Sequence, residues 1–111
     1  MAKLGDDTIR GASGTHYTFD LYHYPGKLRD CAAVYIITER SPTSDHNTAS
    51  NFHIYVGETE DLSALHSGHH KAACFKKFGA NAIGILLDKN EANRRAIKSD
   101  ILGTGIWPCN D

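Results

Sequence analysis

The chain predicts an α+β fold: a small, mainly antiparallel sheet of three to four strands flanked by helices. Three observations carry that expectation. Short runs rich in β-branched and aromatic residues recur at 17–24, 32–38, 52–57 and 81–87. The stretch 89–102 repeats apolar residues near a 3.6-residue spacing, as a helix does. The two most apolar of the early runs are separated by a polar loop with no helical pattern, which predicts an antiparallel hairpin. At 111 residues, with 41% hydrophobic and 23% charged residues, the chain fits one domain around one core.

Taken in order, residues 1–14 are polar and glycine-containing, and are expected to form a flexible lead-in to a domain at 15–111. Within them, Gly11-Ala12-Ser13-Gly14 suits a linker better than a phosphate loop. From Tyr17 to Tyr24, Tyr17, Phe19 and Leu21 alternate with Thr18, Asp20 and Tyr22, and Pro25-Gly26 ends the strand. Ala32 to Thr38 is a short continuous apolar run, as in a buried central strand. Arg40 to Asn51 is dense in Ser, Thr, Asn and Asp, a loop composition. Phe52 to Gly57 returns to strand character.

Helical signals follow. A helix is expected to start within Glu58–Leu62, with Thr59 as its cap and Glu60 and Asp61 in its first turn. Gly68 should end or bend it. His70 to Phe78 places Ala73, Cys74 and Phe78 at helical spacing, with Gly79 as a C-terminal stop. Asn81 to Leu87 is a further buried strand. Lys89 to Leu102 carries Ala92, Ala96, Ile97 and Ile101 on one side and stops at Gly103. The tail from Gly103 onward offers Trp107 as a docking residue.

Composition narrows the function classes. No run approaches the ~18 apolar residues of a membrane span. The formal net charge is −1, without the basic excess that supplies nonspecific affinity for nucleic acid. Three cysteines, Cys31, Cys74 and Cys109, are an odd number without C-x-x-C spacing, so neither a disulfide framework nor a structural zinc site is expected. No apolar leader precedes the domain, so reduced thiols and a cytoplasmic location are expected. There is no P-loop, dinucleotide-binding glycine pattern or nucleophile elbow.

What remains is a constellation. Two tyrosine-bearing runs, Ala33-Val34-Tyr35 and Tyr55-Val56-Gly57, precede Asp61-Leu62, His69, a helical stretch and a terminal Pro108-Cys109-Asn110. This layout resembles the GIY-YIG nuclease domain over about 32–110. In that family an arginine follows the second-motif tyrosine by ten residues and a histidine follows four later. Those offsets fall on Leu65 and His69. The family glutamate precedes a terminal asparagine by about twelve residues, which reaches Lys98 within Arg94-Arg95-Ala96-Ile97-Lys98-Ser99-Asp100.

The resemblance implies a role for each position. Tyr35 would position or deprotonate the attacking water, Tyr55 would shape the phosphate pocket, and His69 would move a proton. The arginine would oppose developing phosphoryl charge and the glutamate would hold a divalent cation. Leu65 can do neither part of the arginine's work. Lys98 repels the cation that a carboxylate would bind. The expectation is therefore a degenerate nuclease without a metal or other cofactor. Tyr35, Tyr55, His69 and Asn110 would be vestiges of its site, on one concave surface with Leu65 and Lys98. The alternative is an active Mg²⁺- or Mn²⁺-dependent endonuclease in which Glu91 or Asp100 substitutes. A purely structural or protein-interaction module is the third reading.

Two further groups have both a functional and a bland reading. His66, His69 and His70 could hold a metal, but Gly68 interrupts the helix and no acidic or thiol third ligand is close in sequence. Lys71, Lys76, Lys77, Arg94 and Arg95 could form a weak nucleic-acid face or an ordinary solvated surface. The partners expected are nucleic acid, bound weakly, or protein, with no membrane.

Overall fold

The computed structural model describes residues 3–42, 49–67 and 69–110. Five strands form one antiparallel sheet: β1 Gly5–Arg10, β2 His16–His23, β3 Ala33–Pro42, β4 Ala49–Thr59 and β5 Ala82–Leu87. Their spatial order is β1-β2-β5-β3-β4. Among the described residues two α-helices join the sheet, α1 Ala72–Lys77 and α2 Glu91–Leu102, with a 3-10 helix at Leu62–Ser67. The α+β class and the β3–β4 hairpin are as expected, but the sheet has five strands rather than three to four.

The fifth strand lies in the segment expected to be a flexible lead-in. β1 pairs with β2 from Gly5↔Leu21 to Arg10↔His16. The Gly11–Gly14 turn between them is docked rather than loose. Asp100 of α2 accepts hydrogen bonds from the Ser13 backbone N–H at 2.8 Å, the Ser13 hydroxyl at 2.7 Å and the Tyr17 hydroxyl at 2.7 Å. A side chain at Gly11 would meet the Asp100 carboxylate at 2.0 Å, so only glycine lets the turn approach the helix this closely.

The hairpin strands are longer than their apolar runs. Both extend into the polar segment read as a loop, to Pro42 and from Ala49; residues 43–48 lie outside the described part. Backbone pairing, not side-chain apolarity, continues the ladder there. The expected helix at 58–67 is also shorter. β4 runs through Thr59, and Asp61 opens the 3-10 turn by accepting from the Ser63 N–H at 2.9 Å. Gly79 at φ +73° ends α1 as a left-handed stop. Asn90 caps α2, its side chain accepting from the Asn93 N–H at 2.9 Å.

Alternation along the strands splits the core into two layers. On one face Ile9, Phe19, Val34, Ile36 and Val56 bury Ile101 of α2 and Trp107. On the other, Ala33, Tyr35, Ile37, Tyr55 and Ile83 pack with Leu28, Leu62, Phe75 of α1 and Cys109. Between Ile37 and Thr38 the register jumps from Tyr55 to His53, a bulge that leaves Ile54 unpaired and within the second layer.

The sheet curls toward α2. β1 and β4 are its opposite edges, yet His53 Nε2 of β4 lies 2.6 Å from Asp7 Oδ2 of β1. Trp107 stacks on the same His53 ring at 5.0 Å between centroids. The tail from Trp107 then follows the outer edge of β4. Cys109 N–H donates to Ile54 C=O, and the Asn110 amide pairs with both backbone groups of Val56, each at 2.8 Å. This blunts an edge that would otherwise present unpaired N–H and C=O groups.

The expectation of three unpaired thiols is overturned. Cys74 of α1 and Cys109 of the tail form a disulfide, and Cys31 alone is free. Cysteine spacing missed it because the partners stand 35 residues apart and meet only through the tail's path along β4. Disulfides persist mainly in oxidising compartments, so the cysteines no longer point to a cytoplasmic location. Among the described residues, no helix is long and apolar enough to cross a membrane.

Candidate functional site

Three of the residues singled out from the sequence meet on the α1 side of the sheet. Tyr35 of β3 and Tyr55 of β4 have ring centroids 5.9 Å apart. His69, just before α1, closes the group: its Nε2 lies 2.7 Å from Tyr35 Oη, and its ring is edge-on to Tyr55 at 5.0 Å. Phe75 packs against both Tyr55 and His69, at 5.3 and 4.9 Å. His70 stacks on His69 at 4.4 Å from the exposed side.

The second motif's glycine makes this possible. Gly57 pairs directly across from Tyr35, whose ring lies over it. A Cβ at Gly57 would come within 2.6 Å of Tyr35 Oη and 2.8 Å of Tyr55. The tyrosine–glycine spacing of the second run is therefore a packing requirement of the first tyrosine.

The protons in the cluster can be assigned. His69 Nδ1 accepts a hydrogen bond from the Lys71 backbone N–H at 2.9 Å, so Nδ1 carries no proton. In the neutral ring the proton is on Nε2, which donates to Tyr35 Oη. Burial, with His70 and Lys71 adding like charge, lowers the His69 pKa to about 4, which keeps the ring neutral near pH 7. Burial raises Tyr35 strongly, and its interaction with Tyr55 adds to the rise. Burial also raises Tyr55, against a smaller lowering by Tyr35. Tyr35 is only 3% exposed. The cluster is thus three neutral groups whose polar atoms largely satisfy one another.

The other expected site residues divide. Leu65 is half-buried and packs against the same layer, on the tyrosine side. Asn110 is committed to the Val56 backbone at the β4 edge. Lys98 does not join them. It lies on α2, and α2 packs through Ile97, Ile101 and Leu102 against the opposite sheet face, which corrects the expectation of one surface for all six. The count back from Asn110 matched a position along the chain without fixing the side of the sheet.

The expected substitute ligands are occupied or distant. Asp100 is held by Ser13 and Tyr17, which pull its pKa down, Ser13 most. Glu91, exposed at the start of α2, lies 3.5 Å from Arg95. Glu58, next to the second motif, lies 2.9 Å from Arg94 Nε. Among the described residues no group of three or more His, Cys, Asp or Glu side chains is arranged to hold a metal ion. The side chain of His66 lies outside the described residues, and with it the grouping of His66, His69 and His70 around a metal.

The five basic residues do not form one face. Arg94 is 2% exposed, bonded to Glu58 and donating to the Asp88 carbonyl at 3.1 Å. Arg95 is exposed beside Glu58 and Glu91. Lys71, Lys76 and Lys77 belong to α1 or its approach, on the opposite face from α2. Residues that sequence reasoning did not assign to the cluster are Phe75, Gly57 and the Lys71 N–H. Only Gly57 carried a signal, as the glycine of a Tyr-Val-Gly run.

Comparison with family models, with curated proteins and with solved structures finds no match to this chain.

Proposed function

We propose that this is a GIY-YIG-like domain that does not cleave phosphodiesters and serves as a binding module, with at most weak affinity for nucleic acid. The observation that carries the reading is the Tyr35–His69 pair. Two tyrosines on adjacent strands and a histidine before a helix converge as the resemblance implies, yet the histidine has no free lone pair. One nitrogen accepts from a backbone N–H and the other donates to a phenol. A general base needs a free acceptor at the proton it takes. Leu65 beside the cluster supplies no charge for a phosphoryl group, and losing one such donor costs about 10²–10³ in rate.

The burial of Arg94 and the separation of the lysines from Arg95 leave these five residues without a continuous phosphate-facing stripe, in keeping with the net charge of −1. Fluorescence anisotropy with labelled single- and double-stranded DNA, titrated at two salt concentrations, tests this part. The expected result is weak binding that vanishes at physiological salt. Tight binding with a steep salt slope would show a phosphate interface and overturn the reading. Complete absence of binding at low salt would leave protein as the partner class.

A further inference from the structure

We propose a second site, apart from the Tyr35 cluster, that binds a small amphipathic anion: an apolar body carrying one acidic head group. It is a cavity of about 800 Å³ between the sheet and the loop that links β2 to β3. That volume is within the range of small-molecule sites. The proposal does not rest on the nuclease-like reading.

The cavity's floor is sheet surface, formed by Tyr22 of β2 with Ile85 and Leu87 of β5. β5 is a central strand, and yet Leu87 at its end is 60% exposed. A leucine exposed at the mouth of an apolar cavity is covered by nothing else among the described residues, and an apolar ligand body would cover it. The opposite wall is Leu28 and Leu62, both buried. Burying the Leu87 side chain and the adjoining floor supplies affinity without specificity.

Specificity comes from the rim. Lys27 and Arg29 line the cavity from the loop, both exposed, and neither forms an ion pair among the described residues. Two carboxylates also line it. Asp20 is ion-paired with Lys3 at 3.0 Å, a lysine it shares with Asp6 at 2.6 Å, and among the described residues Asp30 is the one carboxylate of the lining without an ion pair. Two unpaired cations against one unpaired carboxylate favour an acidic head over a basic one. Arg29 can hold a carboxylate or sulfonate through two parallel N–H bonds. Cys31, the free thiol, also lines the cavity and can report its occupancy.

The test is a titration of the oxidised full chain with anilinonaphthalene sulfonate, an aromatic sulfonate whose emission rises on burial. The expected result is saturable one-to-one binding. Decanoate should displace the probe and slow alkylation of Cys31 by iodoacetamide, whereas decanol at equal concentration should do neither. Lys27→Gln with Arg29→Gln should weaken probe binding about tenfold or more, and Leu87→Asp by a similar factor. All three positions are exposed, so the variants should keep the native circular dichroism spectrum. Absence of saturable binding would overturn the proposal. So would affinity unchanged by the variants, or displacement by decanol as effective as by decanoate.

Discussion

His69 Nε2 and Tyr35 Oη lie 2.7 Å apart, and the hydrogen between them belongs to the histidine. The Lys71 backbone N–H on Nδ1 fixes that assignment, because a nitrogen that accepts cannot also carry the proton. The fold therefore uses His69 as a neutral donor. Protonating it would break the Lys71 contact and place a charge in a buried aromatic cluster.

The first consequence is a pH dependence of stability. His69 has a folded pKa of about 4, below its ordinary value of 6.5. Between those values the unfolded chain binds more protons than the folded one, so stability rises with pH. This contribution is fully present above pH 6.5 and is lost as pH falls toward 4. Urea unfolding across that range should show the slope, and His69→Phe should flatten it. A His69 ring signal that titrates near 6.5 by NMR would contradict the assignment.

Gly57→Ala should destabilise the domain by about 1–3 kcal/mol, the usual cost of overpacking. Its methyl would have to displace the Tyr35 ring, so the Tyr35–His69 bond should break as well. Loss of the depressed His69 titration in this variant is the specific readout. A variant as stable as the parent, with His69 still titrating near 4, would show that Tyr35 does not lie over residue 57.

The Cys74–Cys109 bridge closes a loop of 35 residues. Replacing both cysteines with serine should cost about 2–4 kcal/mol in the chain-entropy account. Because the bridge holds the tail that pairs with β4, amide exchange at Val56 should accelerate most. Thiol counting under denaturing, non-reducing conditions should find one free cysteine per chain, Cys31.

Arg94→Ala should cost about 3–5 kcal/mol, since it leaves the Glu58 carboxylate without its buried partner. Arg95→Ala, at an exposed position of the same helix, should change stability by well under about 1 kcal/mol. Thermal unfolding of the two variants separates them. Equal effects would place Arg94 at the surface and reopen it as a phosphate contact.

Much of this was legible in the sequence. Strands of alternating or continuous apolarity, the helix α2 at Glu91–Leu102 and the Gly79 stop follow from local rules, and so do the hairpin and the docking of Trp107. Long-range pairing escaped. β1 is a polar strand, Gly5-Asp6-Asp7-Thr8-Ile9-Arg10, whose single buried apolar side chain is Ile9. Its stability comes from backbone pairing with β2 and from Asp100 gripping the following turn, neither of which leaves a periodic signal. The disulfide was hidden for a similar reason, since the path of the tail brings its cysteines together. At the site, Tyr35, Tyr55 and His69 lie together. Lys98 failed because an offset does not say which face of a sheet a helix will cover.

The measurement that bears most directly on the account is plasmid nicking with Mg²⁺ or Mn²⁺ by the native chain and by Leu65→Arg with Lys98→Glu. The native chain should leave supercoiled DNA intact. The double variant should do the same, although it restores both charges, because residue 98 lies on the α2 face and residue 65 on the tyrosine face. Metal-dependent nicking by the native chain that disappears in Tyr35→Phe or His69→Ala would contradict the claim that the cluster is catalytically silent. Nicking gained by a well-folded double variant would contradict the two-faced placement itself.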